Sequence, residues 1–316
     1  MIHISIYERG ETYSHWATIR DRNDQKVNPT SVKITIYDPC DNVLVNAQNM
    51  VNSSTGIYYY NYDTLSSSAT YGKYTVKVVA VSGTSNVGTY ISHFYVMPWK
   101  VEQSVRYKMG ITDEKDIDDD ALSEICWTAY KRALHEVYIH HYADNPLGNP
   151  DTGACFDGSN ITFKTPHYPL ADIGGDGSVL GTDVGVPGVN NCEQDISGWW
   201  IDSAGARHTI RVYVSDSYNG LLNLTQEGGV TPIPANNEGV YLDYWERHSN
   251  FDDFLFREAV SFLAAHYVNL RLTQRDKVTL ADISGNSPIV LLNPDMFIRE
   301  YKHLLKRISK PKVGGV

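Results

Sequence analysis

The sequence predicts an α+β fold in several domains, an N-terminal β-sandwich followed by a small helical bundle that carries a β/loop insertion. Three observations predict it. Up to about residue 98, apolar and polar residues alternate and turn residues recur at short intervals. From residue 101 the apolar residues recur every three or four positions, the period of a helix. The chain then returns to glycine-rich, alternating sequence between 150 and 249, and to helical spacing after 250. The predicted limits are 1–98 for the sandwich, 99–149 with 250–308 for the bundle, 150–249 for the insertion and 309–316 for an extended tail.

Strands are predicted at 11–21, 31–38, 42–46, 56–63, 71–81 and 86–97. Alternation is clearest in Val32, Ile34 and Ile36 and in Tyr74, Val76 and Val78. The runs Asp21-Arg22-Asn23-Asp24, Asp38-Pro39-Cys40-Asp41-Asn42, Ser53-Ser54-Thr55-Gly56 and Ser82-Gly83-Thr84 supply turn chemistry between them. Short strands at this spacing fit an immunoglobulin-like topology. Met97-Pro98-Trp99-Lys100 is the hinge, because proline cannot continue the last strand.

A short helix over 101–109 stops at Gly110, which suits a left-handed C-cap. A long helix reaching to Tyr142 follows. Asp118-Asp119-Asp120 provide its cap and place negative charge at the positive end of its dipole. Leu122, Ile125, Ala129, Ala133 and Val137 form its stripe, and Asn145-Pro146-Leu147-Gly148-Asn149-Pro150 closes it. The insertion holds Trp199-Trp200, strands at 209–214 and 239–244, and the hairpin-type turn Asp216-Ser217-Tyr218-Asn219-Gly220.

The partner helix, 252–274, takes Asn250 or Asp252 as cap. It presents Phe254, Leu255, Ala259, Phe262, Leu263, His266, Tyr267 and Leu270 as its apolar stripe, with Ala264-Ala265 permitting close helix approach. The last helix opens on Asn293-Pro294-Asp295 and buries Phe297, Tyr301, Leu304, Leu305 and Ile308.

Composition narrows the function classes. At 316 residues the chain exceeds an ordinary single domain. Its 42% hydrophobic and 20% charged content is that of a globular protein. There is no apolar run of bilayer length, and no basic n-region ahead of an apolar core, so neither a membrane span nor a secretory signal is expected. A net charge of −10 argues against a surface that coats nucleic acid, and suits one that DNA slides past. Cys40, Cys126, Cys155 and Cys192 show no CxxC spacing. Reduced thiols are the expectation, with Cys126 buried on the long helix and a Cys155–Cys192 disulfide as the alternative. The 22 tyrosines against 8 phenylalanines fit strands that present an amphipathic face to a partner, or simply half-exposed strands filled with good β-formers.

The sharpest local motif is Asp172-Ile173-Gly174-Gly175-Asp176-Gly177-Ser178-Val179-Leu180-Gly181-Thr182-Asp183. Its acids at positions 1, 5 and 12 and its glycine at 6 follow a calcium loop, in which oxygen ligands converge around a sharp turn. Asp172, Asp176, Ser178 and Asp183 are the candidate ligands for a structural Ca²⁺. Gly174 at position 3 and Asp183 in place of glutamate depart from the pattern, and a glycine-rich turn is the competing reading. His135, His140 and His141 on a helix would point in different directions, so they read as surface or interface residues, and His266 as a core histidine. With no nucleophile elbow, phosphate loop, HExxH or dinucleotide fingerprint, no catalytic residue and no required cofactor is assigned. Lys306, Arg307, Lys310 and Lys312 form the basic concentration. They suit the end of a helix and, beyond it, a tail that joins a partner by strand addition or charge pairing.

Two resemblances follow from these stretches. The runs Ser31-Val32-Lys33-Ile34-Thr35-Ile36-Tyr37-Asp38-Pro39, Thr55-Gly56-Ile57-Tyr58-Tyr59-Tyr60 and Tyr71-Gly72-Lys73-Tyr74-Thr75-Val76 resemble the Ig-like accessory domains of tailed-phage virion proteins. Similar signatures occur in bacterial surface domains. Residues 101–316 resemble the head–tail adaptor (connector) proteins of long-tailed phages and tailed archaeal viruses. The matching pieces are Val105-Arg106-Tyr107-Lys108-Met109-Gly110-Ile111, Asp118-Asp119-Asp120-Ala121-Leu122, Val240-Tyr241-Leu242-Asp243-Tyr244 and Phe256-Arg257-Glu258-Ala259-Val260-Ser261-Phe262-Leu263-Ala264-Ala265-His266.

That resemblance implies a virion protein of the neck, made in the host cytoplasm and assembled as a dodecameric ring beneath the portal. Its partners would be the portal, reached through the C-terminal basic residues, and a neck/stopper or tail-completion protein. DNA would pass the lumen without sequence-specific binding, and no membrane would be involved. The long 150–249 insertion and the Ig-like domain depart from the family's pattern. The alternative is an Ig-like cell-surface or host-binding protein of adhesin type.

Overall fold

The computed structural model describes residues 6–62, 69–83, 85–111, 117–149, 151–152, 156–175, 178–179, 181, 194–227, 231–248, 251–279 and 294–308. The chain is mixed α+β, and its contacts divide it into two compact units, 1–129 with 261–297 and 130–260 with 298–316.

In the first unit the alternating stretches become β1 (Ile6–Tyr7), β2 (Tyr13–Thr18), β3 (Ser31–Tyr37), β4 (Val43–Asn49), β5 (Val51–Ser54), β6 (Ile57–Tyr62), β7 (Gly72–Ser82) and β8 (Ser85–Val96). They form a five-stranded sheet in the order β1-β8-β7-β3-β4 and a three-stranded sheet in the order β2-β6-β5. The pairing of β1 with β8 is parallel and the others are antiparallel. This is the strand distribution of an immunoglobulin-like sandwich.

Val32, Ile34 and Ile36 of β3 and Tyr74, Val76 and Val78 of β7 point inward, against Tyr13 and Ala17 of β2 and Tyr58 of β6. Burying each of these large side chains is worth roughly 1.5–3 kcal/mol. A one-residue slip would turn the whole set to solvent, so the register is fixed. Tyr13 and Tyr74 stack on Phe94 with ring centroids 3.8 and 4.8 Å away. At the start of β7 the Tyr74 hydroxyl donates to the Thr70 carbonyl at 2.9 Å, the tyrosine corner that marks this kind of sandwich. The run Ser53-Ser54-Thr55-Gly56 is partly strand, not wholly turn: β5 ends at Ser54 and only Gly56 adopts positive φ, 69°.

Gly110, Asp118 and Asp252 cap helices where the sequence places a cap. In the first unit, α1 (Glu102–Met109) ends at Gly110 with φ 65°, and the Ile111 amide donates back to the Arg106 carbonyl. Asp118 caps α2 (Asp119–Val137) by accepting the Ala121 amide at 2.7 Å, and an Arg106–Asp119 ion pair of 2.5 Å ties the last turn of α1 to the start of α2. Of the two predicted caps for α3 (Asp253–Thr279), Asp252 accepts the Phe254 and Leu255 amides at 3.1 Å each, and Asn250 lies outside the described residues. In α4 (Pro294–Ile308) Phe297, Tyr301, Leu304 and Ile308 are buried, as their spacing predicts, whereas Leu305 is half-buried. The Asn293 cap lies outside the described residues.

Three expectations need correction. The long helix stops at Val137 and not at Tyr142, because 139–144 instead form β9 (Ile139–Asp144); the run Tyr138-Ile139-His140-His141-Tyr142 is aromatic and β-branched and finds a strand to pair with. The buried face of α3 runs through Phe256, Val260, Leu263, Ala264, Val268 and Leu272, rotated from the predicted stripe, so that Phe254 is 69% exposed. Cys40 is disulfide-bonded, against the expectation of reduced thiols, whereas Cys126 is a buried free thiol as expected. Cys155 and Cys192 lie outside the described residues.

The second unit is built on a six-stranded antiparallel sheet of β9, β10 (Thr162–Lys164), β11 (Ile196–Ile201), β12 (Arg207–Asp216), β13 (Leu221–Gln226) and β14 (Gly239–Glu246), in the order β10-β13-β12-β11-β14-β9. The turn at Asp216–Gly220 closes the hairpin β12–β13. Phe163, Ile210, Val212, Leu222, Leu224, Val240 and Leu242 are buried in its core. In the same unit, Tyr130 of α2 lies 6.1 Å from Phe256 of α3, and the Tyr301 hydroxyl of α4 donates to Glu136 of α2 at 3.0 Å.

Candidate functional site

Of the predicted calcium loop, Asp172 is half-buried and Ser178 exposed, while Asp176 and Asp183 lie outside the described residues. The part that is described is anchored on α2. The Lys131 ammonium donates to the Ile173 and Gly174 carbonyls at 3.2 and 2.6 Å, and the Gly174 amide donates to Asp195 at 2.8 Å. Gly175, at φ 67°, sits so close to Leu134 that a Cβ would stand 2.8 Å from its side chain. Positive charge at these carbonyls is therefore supplied by a lysine. Lys306 and Arg307 are exposed on the last turn of α4; Lys310, Lys312 and the 309–316 tail lie outside the described residues.

A second group of residues, which the sequence did not single out as a site, gathers on the β9–β14 edge. Tyr244 pairs with His141 and Leu242 with Asp144, so two steps on β14 face three on β9. The extra residue is a β-bulge, and Ala143 within it adopts φ 55°, a left-handed conformation that an alanine adopts only at a cost. Without the bulge, His141 and Asp144 would point to opposite sides of the sheet. With it they share the face that also carries Tyr244 and Glu246.

The distances on that face are short. His141 Nε2 lies 2.9 Å from Glu246 Oε2, and the Tyr244 hydroxyl donates to Asp144 at 2.7 Å. His167 arrives from the 165–171 loop, which is held to β14 by the Leu170–Glu246 bridge and by bonds from the Ala171 and Arg247 amides to the Trp245 and Pro169 carbonyls. Its ring stacks on that of His141 with centroids 4.1 Å apart and planes 9° from parallel. Its Nδ1 is 3.8 Å from Glu246 and its Nε2 is 3.9 Å from Asp144. Burial, reinforced by the Asp144 carboxylate, pushes the Tyr244 phenol well above its ordinary value, so it stays a hydrogen-bond donor.

The opposite face carries His140, which contacts Asp243 and stacks on Trp245 at 4.4 Å, while His135 meets the edge of the same indole at 5.5 Å. The three predicted histidines are thus distributed as the strand dictates: His140 and His141 are separated by the sheet. His141, His167 and Glu246 each offer a ligand atom within 4.8 Å of the others. Imidazole nitrogen with carboxylate oxygen is a donor set for zinc-like divalent ions, and it also ties a loop to a sheet edge by hydrogen bonds alone. Glu246 and His141 are separated by 105 positions, so no motif spacing could have revealed the pair.

A scan of protein families returns no match, and a search of curated proteins returns none. Among solved structures, similarity is found to the Lin-41 filamin domain, with TM-score 0.24, 16% identity and coverage of 30% of this chain and 86% of that one. It extends to a tetra-tandem repeat from the extending region of a large adhesion protein, with TM-score 0.25, 15% identity and coverage of 64% and 35%. Escherichia coli alpha-2-macroglobulin follows, with TM-score 0.27, 11% identity and coverage of 79% and 20%. At such scores these likenesses carry no argument about the chain, and the immunoglobulin-like arrangement rests on its own strand order and tyrosine corner.

Proposed function

We propose that this chain is a virion structural protein of the head–tail adaptor type, which forms a ring beneath a portal and joins it to the neck around the DNA channel. The observation that carries this reading is the return of the chain to its earlier helix after a β excursion of about a hundred residues. Phe256 of α3 lies against Tyr130 of α2, and Tyr301 of α4 bonds Glu136 of α2. A helical bundle with a β element between α2 and α3 is the layout such an adaptor would have, and the length of the excursion and the Ig-like sandwich ahead of it are additions to that layout. A net charge of −10 suits a channel that must not retain DNA. Lys306 and Arg307, exposed at the end of α4, supply the charge for docking onto a partner. The helices described are not long and apolar enough to cross a membrane.

The test is to combine the full-length chain with the portal ring of its own virus and image the product by negative stain. Added density in a ring on one portal face is the expected result. A chain that neither binds the portal nor occurs in purified particles ends the proposal.

One observation favours a second reading, binding of a host ligand through the sandwich. Trp16 is 42% exposed and stacks on Tyr59 at 5.1 Å, beside a cleft of about 310 Å³ between β2 and β8 that Tyr90 also lines. Binding of glycans or host-surface proteins by a chain absent from the portal complex would favour that reading over the adaptor.

A further inference from the structure

We infer that His141, His167 and Glu246 form a binding site for a divalent transition-metal ion of the zinc class, which clips the 165–171 loop to the β9–β14 edge. The inference does not depend on the adaptor reading.

The donor chemistry is the first argument. Two imidazoles and a carboxylate, each with a ligand atom within 4.8 Å of the others, are a nitrogen–oxygen set that Zn²⁺ takes with its fourth position left to water. A hard ion such as Ca²⁺ would want more oxygens than the group provides. The second argument is the support behind the ligands. Asp144 lies 3.9 Å from His167 Nε2 and is itself held by the Tyr244 hydroxyl at 2.7 Å. If His167 binds through Nδ1, Asp144 is near enough to accept a hydrogen bond from the N–H of its other nitrogen after a small approach, the arrangement that orients metal-bound histidines. The third argument is the strained Ala143. The bulge that places Asp144 beside His141 holds a non-glycine residue at φ 55°, and strain of this kind concentrates where a side chain has to be aimed.

The site is accessible, and one of its two rings is already held in place. The side chains of His141 and Glu246 keep 17% and 20% exposure and that of His167 keeps 49%, so an ion can enter from solvent. His141 is fixed between Glu246 and the Tyr244 ring, 5.1 Å away. Two parallel stacked rings cannot both aim in-plane lone pairs at one ion. His167, the more exposed of the two, is therefore the ring that turns on binding.

The experiment uses tag-free, full-length protein treated with chelator and titrated with Zn²⁺ and Co²⁺. Stoichiometry and affinity are read by calorimetry and by the visible absorption of four-coordinate Co²⁺, and thermal unfolding is followed alongside. The expected result is one equivalent bound with at least micromolar affinity, a higher unfolding temperature with metal, and weakening by more than the roughly 10-fold that loss of a mere supporting residue costs in each of His141→Ala, His167→Ala and Glu246→Gln. His167→Ala alters a half-exposed side chain, so it separates lost binding from lost folding. His208→Ala, which removes an exposed histidine paired with Asp202, is the control and should bind as wild type does. Binding below one equivalent at micromolar metal, undiminished affinity in His167→Ala, or loss in His208→Ala instead would each overturn the assignment.

Discussion

Two single side chains carry measurable consequences for stability. Tyr74 spans the end of the sandwich with its ring stacked on Phe94 and its hydroxyl on the Thr70 carbonyl. Tyr74→Phe keeps the ring and removes the bond, so it should cost about 1 kcal/mol in chemical denaturation, with the m-value unchanged. Glu102 titrates abnormally. Burial raises its carboxyl from 4.5 to about 7, despite a backbone hydrogen bond and Lys100 acting in the other direction. A folded-state value above the unfolded one means the folded chain binds the proton more tightly. The stability from the neutral acid is present below about pH 4.5 and lost as the pH rises through about 7. Glu102→Gln should remove that slope and, because the side chain is partly screened by solvent, should stabilise the protein by about 2 kcal/mol at pH 8. A wild-type stability that stays flat between pH 4.5 and 7 would contradict this.

At the scale of elements, the sequence was legible wherever local chemistry decided the outcome. Val32, Ile34 and Ile36 announced an inward-facing strand, Gly110 a helix end, and Asp118 and Asp252 helix starts, because each signal is read within a few residues. It failed where partners decided. The run Ile139-His140-His141-Tyr142 extended a helical reading until β14 supplied a strand to pair with, and with that misreading the His141–Glu246 contact was out of reach. β11 was missed for a different reason. Trp199 and Trp200 are both 8% exposed, so the strand is covered on both faces and shows no alternation, and Gly198 interrupts the apolar run. That glycine is required by space. A Cβ there would lie 2.6 Å from Ile210, 2.9 Å from Leu242 and 2.9 Å from the Tyr241 carbonyl. Gly198→Val should therefore overpack the centre of the six-stranded sheet and destabilise it by 2 kcal/mol or more, on the order of the known cost of forcing methyl groups into a filled core. Thermal unfolding reads this directly, and an unchanged midpoint would mean that β11 can move aside.

At the scale of the whole molecule, the proposed assembly sets two electrostatic effects of opposite sign against each other. Each copy carries a net charge of −10, so copies brought into a ring repel one another, and salt that screens this repulsion should promote ring formation. Docking through the exposed Lys306 and Arg307 is an attraction between unlike charges, and the same salt should weaken it. The two steps can then be separated by varying ionic strength and by the double variant Lys306→Glu/Arg307→Glu. Both side chains are exposed in the last turn of α4, so the fold should tolerate the change within about 0.5 kcal/mol apart from a small dipole penalty. The variant should form rings at high salt as readily as wild type, yet bind portal rings at least tenfold more weakly at low salt, measured by co-sedimentation. Equal portal binding by variant and wild type would remove α4 from the docking surface. Portal binding that strengthens with salt in both would mean that the contact is apolar, with the exposed Phe254 and Tyr107 as the side chains to change next.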